Sequence, residues 1–446
     1  MPRYYIDNQK VYDFPKEIVI IEKEGHILII APELANWIVL DSMAQLQVFE
    51  QFRKGVSIDG VLRTLRFSES DVAKVVTQIE ARRFYRKVPV VVPEEVSMHL
   101  YLTNRCNLSC PHCYMFSGQP NGMELSTFEI KRLIKDFAEL GEGAVLTLSG
   151  GEPTLHPDFE EIVHFAFDRG LDIQLMTNGT CLSPSVIDAI APCLTSVQVS
   201  IDGFSEESNA RIRGLGHFDK ALEVVDDFIQ HGVYTAIAMT PSLRSLKEQK
   251  GEYIAFAKDL AARYEQAAFE IRFSEELLNG RCIGNASELN TEYGRLMAEI
   301  QEAIYGADFR VQEFVKRLSD NRRLVNCSFG NLAVSAVGDV FLCPRIQDLK
   351  AIGNVRICSL EELLAKAKVA EEATRIDRLY PCKDCDLRYI CGGGCRMEEF
   401  AGLTGRDSFE AINARKHPRR GCDASVKARF YDLMIESNAY FFSELG

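Results

Sequence analysis

Between Ser97 and Phe273 six short apolar runs are separated by five amphipathic stretches. The runs are His99–Leu102, Ala144–Leu148, Asp172–Met176, Ser196–Ile201, Tyr234–Met239 and Phe269–Phe273, and the stretches between them read as helices over 126–140, 158–169, 183–190, 217–231 and 246–263. Strands that pair in parallel need a crossover of a dozen or more residues, and a helix is the usual one. The alternation therefore predicts an α/β fold with a parallel sheet. A closed eight-unit barrel takes about 250 residues, more than this region offers, so the expectation is a partial (β/α)6 barrel. In such barrels the chemistry lies at the C-terminal strand ends.

Two motifs fall at those ends. Directly after the first run stand Cys106, Cys110 and Cys113, spaced C-x3-C-x2-C. Three soft thiolates so close together suit three corners of a 4Fe–4S cube and leave the fourth iron open for a ligand. A zinc knuckle is the competing reading, but zinc sites favour paired C-x2-C units. After the second run come Gly150, Gly151, Glu152 and Pro153. Glycines permit close backbone approach to a ligand, and a glutamate accepts from an ammonium group.

The two motifs in this order resemble the core of radical S-adenosylmethionine (SAM) enzymes, over residues 97 to about 275. The resemblance implies that the open iron chelates the amino and carboxylate groups of SAM. One electron from the reduced cluster then yields a 5′-deoxyadenosyl radical that abstracts a substrate hydrogen. By the same resemblance Tyr114 marks the aromatic position whose backbone lies near adenine, and Ser200 the residue that bonds the ribose. Arg213 resembles the arginine that pairs with the SAM carboxylate, a role suited to a guanidinium fork; Arg211 is its near neighbour. Asn178, in Thr177-Asn178-Gly179, closes the third strand and also reads as a plain Asn-Gly turn. His112 reads as a supporting or surface histidine, not a ligand.

All fourteen cysteines lie beyond residue 105. Cys327, Cys343, Cys382, Cys385, Cys391, Cys395 and Cys422 form an array whose spacing resembles the SPASM extension of radical SAM enzymes. That extension implies two auxiliary 4Fe–4S clusters, three in all: an outer one on Cys382, Cys385, Cys391 and Cys422, and an inner one on Cys327, Cys343 and Cys395. Fully ligated relatives carry a further cysteine just before the position of Cys327, and residues 315–326 contain none. The inner cluster then has an open iron or a distant ligand such as Cys282. An open iron would hold a substrate thiolate, pointing to a thioether product. Cys193 and Cys358 read as small core residues, and Cys181 is left open.

The start of the chain is free of cysteine to beyond residue 90. A β-rich stretch from Glu17 to Ile30 around Glu24-Gly25 precedes helical patterns near 42–53, 59–65 and 68–83, and the proline-flanked run Val88–Glu94 reads as a linker. Residues 17–86 resemble the pyrroloquinoline-quinone-type peptide chaperone, the RiPP recognition element, which binds the leader of a ribosomally made precursor as an extra strand. A DNA-binding winged helix is the rival. It would concentrate Lys and Arg on its recognition helix, whereas here Arg82, Arg83, Arg86 and Lys87 cluster at the module's end. The net charge of −13 also speaks against a polyanion partner.

The expected layout is a recognition element over 1–90, the barrel over 91–285, a helical bridge over 286–326 and a SPASM domain over 327–446. The implied function is a peptide maturase that forms a crosslink, thioether favoured and carbon–carbon next. A formylglycine maturase acting on sulfatases, a peptide epimerase and an iron–sulfur redox sensor that binds DNA are the alternatives. The implied partners are a precursor peptide and a reducing donor such as flavodoxin or ferredoxin. Met-Pro-Arg-Tyr-Tyr-Ile-Asp lacks the apolar core of a signal peptide, and no apolar run approaches about 18 residues, which gives the expectation of a cytoplasmic protein without membrane contact.

Overall fold

The computed structural model describes residues 7–64, 66–85, 96–120, 122–141, 143–318, 322–400 and 422–443. The expected linker Val88–Glu94, Arg86 and Lys87 lie outside these. The first strands, β1 (Val19–Lys23) and β2 (His26–Ala31), form a hairpin. Its turn holds Glu24 at φ 51° and Gly25 at φ 84°, the left-handed pair that matches the twist of the flanking strands. A third strand, β3 (Asn36–Leu40), pairs with β2; the sequence reading did not anticipate it. Helices α1 (Met43–Arg53), α2 (Ile58–Leu62) and α3 (Glu69–Ala81) follow, capped by the hydroxyls of Ser42, Ser57 and Ser68, which satisfy amides the first turn leaves open.

This small sheet is apolar on both faces. Ile27, Ile29, Ile38 and Leu40 pack on the module's own helices. Leu28, Ile30, Trp37 and Val39 pack on Phe314, Leu387, Ile390 and Met434 from the far end of the chain. A strand buried on both sides reads as a continuous apolar run, as His26–Ala31 does.

The main sheet contains β4 (Ser97–Tyr101), β5 (Val145–Ser149), β6 (Asp172–Thr177), β7 (Leu194–Ser200), β8 (Tyr234–Met239) and β9 (Phe269–Phe273), all parallel and in chain order. Between them run α4 (Thr127–Ala138), α5 (Phe159–Phe167), α6 (Pro184–Ile190), α7 (Glu206–Arg213), α8 (Phe218–Gln230) and α9 (Leu243–Arg263). The short α7 was not foreseen. Met98, Leu100, Leu146, Leu148, Val197 and Val199 face the helices in the core. Their alternates His99, Tyr101, Thr147, Gln174 and Gln198 therefore share the opposite face, where Thr147 reaches Gln174 and Arg272 reaches Gln198.

Beyond α10 (Ala286–Tyr305) and α11 (Phe309–Arg317), the chain returns to the same sheet. Strand β10 (Leu332–Val334) lies parallel to β4, and β11 (Asp339–Phe341) and β12 (Gly353–Asn354) extend it antiparallel. The result is nine strands in the order β12-β11-β10-β4-β5-β6-β7-β8-β9, open at β12 and β9. The sequence indicated six. Helices α12 (Leu360–Ala373), α13 (Arg388–Cys391), α14 (Met397–Phe400) and α15 (Ala424–Ser443) complete the described chain. No helix among the described residues is long and apolar enough to cross a membrane.

Candidate active site

The triplet loop after β4 is closed by its own backbone: Cys106 N donates to Gly118 O at 3.1 Å and Gly118 N to Asn104 O at 2.9 Å. The loop after β5 lies against it, with Gly151 N on Thr103 O at 2.7 Å and Glu152 N on Arg105 O at 2.8 Å. A Cβ on Gly151 would stand 2.2 Å from Arg105 O, and one on Gly150 2.5 Å from Thr103 O. The neighbour these glycines admit in the structure is the triplet loop itself. A third segment seals the other side, where Arg281 N donates to Cys113 O and Cys282 N to Pro111 O at 2.7 Å.

Glu152 is fully buried. Its Oε1 accepts from Thr154 N and from the hydroxyls of Thr154 and Thr177, and its Oε2 from Asn178 N. Burial pushes the carboxyl up while these donors oppose the shift. The residue thus pins the end of β6 to that of β5, and Oε2 retains a lone pair for one more donor. Asn178 is more than a turn residue, because its Nδ2 donates to Asn107 Oδ1 at 3.0 Å and braces the triplet loop.

Ser200 ends β7, half-buried. Two residues on, Asp202 is fully buried and was not singled out from sequence. Its Oδ1 accepts from Thr240 N at 2.7 Å. Its Oδ2 lies 2.7 Å from Arg213 Nε and 3.4 Å from His112 Nε2. The Arg213 N–H is not aligned for a hydrogen bond, so that contact is an ion pair. Arg213 is nearly buried and acts electrostatically on Cys110, whereas Arg211 is exposed and paired with Glu207. The structure thus separates the two arginines: Arg213 faces the triplet. Asn209 and His217 back this corner, Asn209 Oδ1 accepting from Asp202 N and Gly203 N while its Nδ2 meets His217 Nδ1 at 2.8 Å. An acid two residues past a strand end was the available signal for Asp202. Nothing local marked His217.

The triplet thiols act on one another, and burial raises Cys106 to about 11. Opposing this, Leu108 N donates to Cys106 Sγ at 3.4 Å. The same contact from the second following residue recurs at Cys385, from Leu387 N, and at Cys395, from Met397 N. Amides aimed at sulfur favour a bound thiolate.

Contacts are described for several of the C-terminal cysteines. Cys343 is acted on by Cys327 and Cys395. Fully buried Arg396 holds this set, donating to Thr374 O, Gly392 O, Gly394 O and Val325 O. Cys385 N bonds to Cys382 O, and Cys385 and Cys391 pack on one apolar cluster. Cys422 stands just before α15, whose Lys427 and Tyr431 bind Asp386. Cys282 is held on the triplet loop, and the thiols that act on Cys343 are Cys327 and Cys395. Cys193 is buried and Cys358 half-buried; Cys181 is exposed beside Thr180. Tyr114 is half-buried, its hydroxyl 3.0 Å from that of Tyr101.

Residues 100–246 match the model of the Radical SAM superfamily. An AdoMet-dependent heme synthase from Methanosarcina barkeri is 30% identical over 325 residues, 67% of this chain and 90% of that protein. The chain belongs to the radical SAM superfamily. It is similar to the mycofactocin maturase MftC of Mycolicibacterium smegmatis, 28% identical over 67% of this chain and 77% of that one. It is also similar to the PqqA peptide cyclase of Ruegeria pomeroyi, 27% identical over 70% and 85%. The solved structure of anSMEcpe with bound AdoMet shares the fold, with a TM-score of 0.55 and 18% identity over 77% of this chain and all of that one.

This radical SAM chain is an enzyme, and its family implies SAM and a 4Fe–4S cluster. The donor set fits. Among the described residues no three Cys, His, Asp or Glu side chains converge on a single ion, whereas thiolates on a cube each bind a different iron and stand apart. The triplet, with Cys110 buried and Cys106 and Cys113 half-buried, its amide donor and nearby Arg213 suit such a group with a carboxylate-bearing ligand beside it.

Proposed function

We propose that this radical SAM enzyme modifies a ribosomally synthesised precursor peptide by forming a crosslink, a thioether in the first instance. The observation that supports the reading is that the loop after β11, which carries Cys343, meets the triplet segment: Tyr101 donates to Pro344 O and Gln347 Nε2 to Met115 O. In this reading Cys106, Cys110 and Cys113 hold the SAM-binding cluster. Glu152, Asn178, Ser200 and Arg213, with the Tyr114 backbone, cradle SAM. Cys327, Cys343 and Cys395 hold the inner auxiliary cluster, and Cys382, Cys385, Cys391 and Cys422 the outer. SAM supplies the radical when bound; the chain's residues orient it and the substrate.

Three features support the finer points. The backbone of Cys282 is held on the triplet loop, which supports an open iron at the inner cluster over Cys282 as its distant ligand. The relatives include a peptide cyclase. The residue 12–85 module has a sheet edge to offer a leader. On β3 that edge is already covered, by Arg82 Nε on Trp37 O and by the Asn36 side chain, so an added strand pairs with β1 or displaces Arg82.

Anaerobic incubation of reconstituted enzyme with SAM, reductant and a precursor encoded nearby tests the proposal. Release of 5′-deoxyadenosine with loss of two hydrogens from the peptide supports crosslinking. Deuterium uptake from heavy water without mass loss points to epimerisation. Turnover of a tetrapyrrole in place of any peptide overturns the reading.

A further inference from the structure

A cavity of about 390 Å³ opens at the N-terminal ends of β4 and β10, where Ser97 and Leu332 line it. The triplet loop leaves the opposite, C-terminal end of β4. Three cations line the cavity, Arg322, Arg323 and Lys368, against one carboxylate, Glu371. Arg323 stacks on the Tyr389 ring at 5.0 Å. Arg345, Arg375 and Arg388 are paired with Glu276, Asp377 and Glu17, whereas Arg322 and Lys368 form no ion pair among the described residues. Both are exposed. Cys327 stands at the lip: its neighbours Asn326 and Ser328 line the cavity, and Cys327 itself is exposed. The segment is firmly held. Asn326 Oδ1 accepts from Cys327 N at 2.8 Å, and its Nδ2 donates to Thr374 Oγ1 at 3.1 Å and to Glu371 O at 3.2 Å. Helix α12, which carries Lys368, is thus bonded to the segment that presents Cys327. Ser328 lies at φ 64°, a left-handed conformation that non-glycine residues keep only where the surroundings enforce it.

We propose that this cavity is the docking point of an acidic one-electron carrier protein, which exchanges electrons with the chain beside Cys327. This rests on the reading that Cys327, Cys343 and Cys395 hold an iron–sulfur cluster. Charge favours the partner. The chain carries a net −13 and repels an acidic protein, except where unpaired cations gather, so encounter is steered to them. Position favours it too, because docking at the N-terminal strand ends leaves the C-terminal ends and the triplet loop to the substrate. The electron count of the proposed reaction gives the carrier its task. Reductive cleavage of SAM consumes one electron. Joining a substrate carbon radical to a thiolate forms one C–S bond and releases one electron, and the thiol proton goes to water. The oxidised carrier takes up that electron and is itself reduced, ready to serve the next cleavage.

Arg322→Glu combined with Lys368→Glu reverses the two unpaired charges at exposed positions. Calorimetry with an acidic flavodoxin at low salt should show binding about tenfold weaker than wild type, with a shallower dependence on salt. Crosslinked peptide formed per SAM cleaved, with flavodoxin as the sole redox partner, should fall by a similar factor. SAM cleavage with dithionite in place of flavodoxin should be unchanged, since a small reductant needs no docking surface. Flavodoxin affinity equal to that of wild type overturns the inference. So does an equal loss with dithionite, which would mark the change as structural. Weaker binding of the precursor peptide at unaltered flavodoxin affinity also overturns it and gives the cavity to the substrate. Wild-type protein that holds no iron–sulfur signal beyond the triplet cluster sinks the underlying cluster reading instead, and iron and sulfide counts distinguish the two failures.

Discussion

The triplet loop and the C-terminal cysteine array are held in different ways. The triplet is fastened by backbone: neighbouring strand ends place amides and carbonyls of Thr103, Arg105, Cys113 and Gly151 in register. The array is fastened by side chains from distant parts of the sequence, with Arg396 on four carbonyls, Arg388 on Glu17, and Lys427 and Tyr431 on Asp386. Backbone fastening tolerates little change in shape. Side-chain fastening tolerates shape but depends on particular charged groups, and it ties the N-terminal module to the region around Cys385 and Cys391.

The most damaging change should be Gly151→Ala, which drives a Cβ to within 2.2 Å of Arg105 O. A loss of about 3–4 kcal/mol, read from denaturant midpoints, should accompany loss of SAM cleavage. Retention of both would show that the two loops part easily. Next comes Arg396→Met, which strands buried carbonyls at about 1–3 kcal/mol of desolvation each in the worst case. Iron content should fall by the share assigned to the inner cluster while SAM-dependent spectral change at the triplet persists. Simultaneous loss of both would mean that the two sites are one cooperative unit.

Arg213→Ala should weaken anaerobic SAM binding at least tenfold, and Arg211→Ala by less than twofold, measured by calorimetry. Equal effects would break the assignment of the carboxylate partner. The smallest effect concerns the seam between barrel and C-terminal region, where Arg356 holds Glu129 and the carbonyls of Met123, Glu124 and Val337. Arg356 holds the Glu129 carboxyl at about 2, below its ordinary 4.5. The folded value is the lower one, so this stabilisation is complete above about 4.5 and is lost as pH falls toward 2. For a partly exposed pair it amounts to about 1 kcal/mol or less. Glu129→Gln should flatten the acid limb of the stability profile by that amount, and an unchanged limb would discount the pair.

Much of this was legible because it is local. Strand and helix patterns from Ser97 to Phe273, the Ser42, Ser68 and Ser126 caps and the cysteine spacings are short-range signals. They fixed the parallel sheet and which strand ends carry chemistry. Asp202, His217 and Tyr101 were not legible as site residues, since each acquires its role from partners that other elements supply. The polar alternation His99, Tyr101, Thr147 and Gln174 hinted at a functional face without saying what it meets.

The sequence by itself determined a six-strand βα core and three thiols at one of its strand ends, because periodicity and spacing act over a few residues. The tertiary structure alone decided that β10 joins β4, that Trp37 packs on Met434, and that the Cys282 backbone sits on the triplet loop. Those contacts join residues tens to hundreds of positions apart. They are chosen by which apolar faces and backbone edges remain unsatisfied once the local elements have formed.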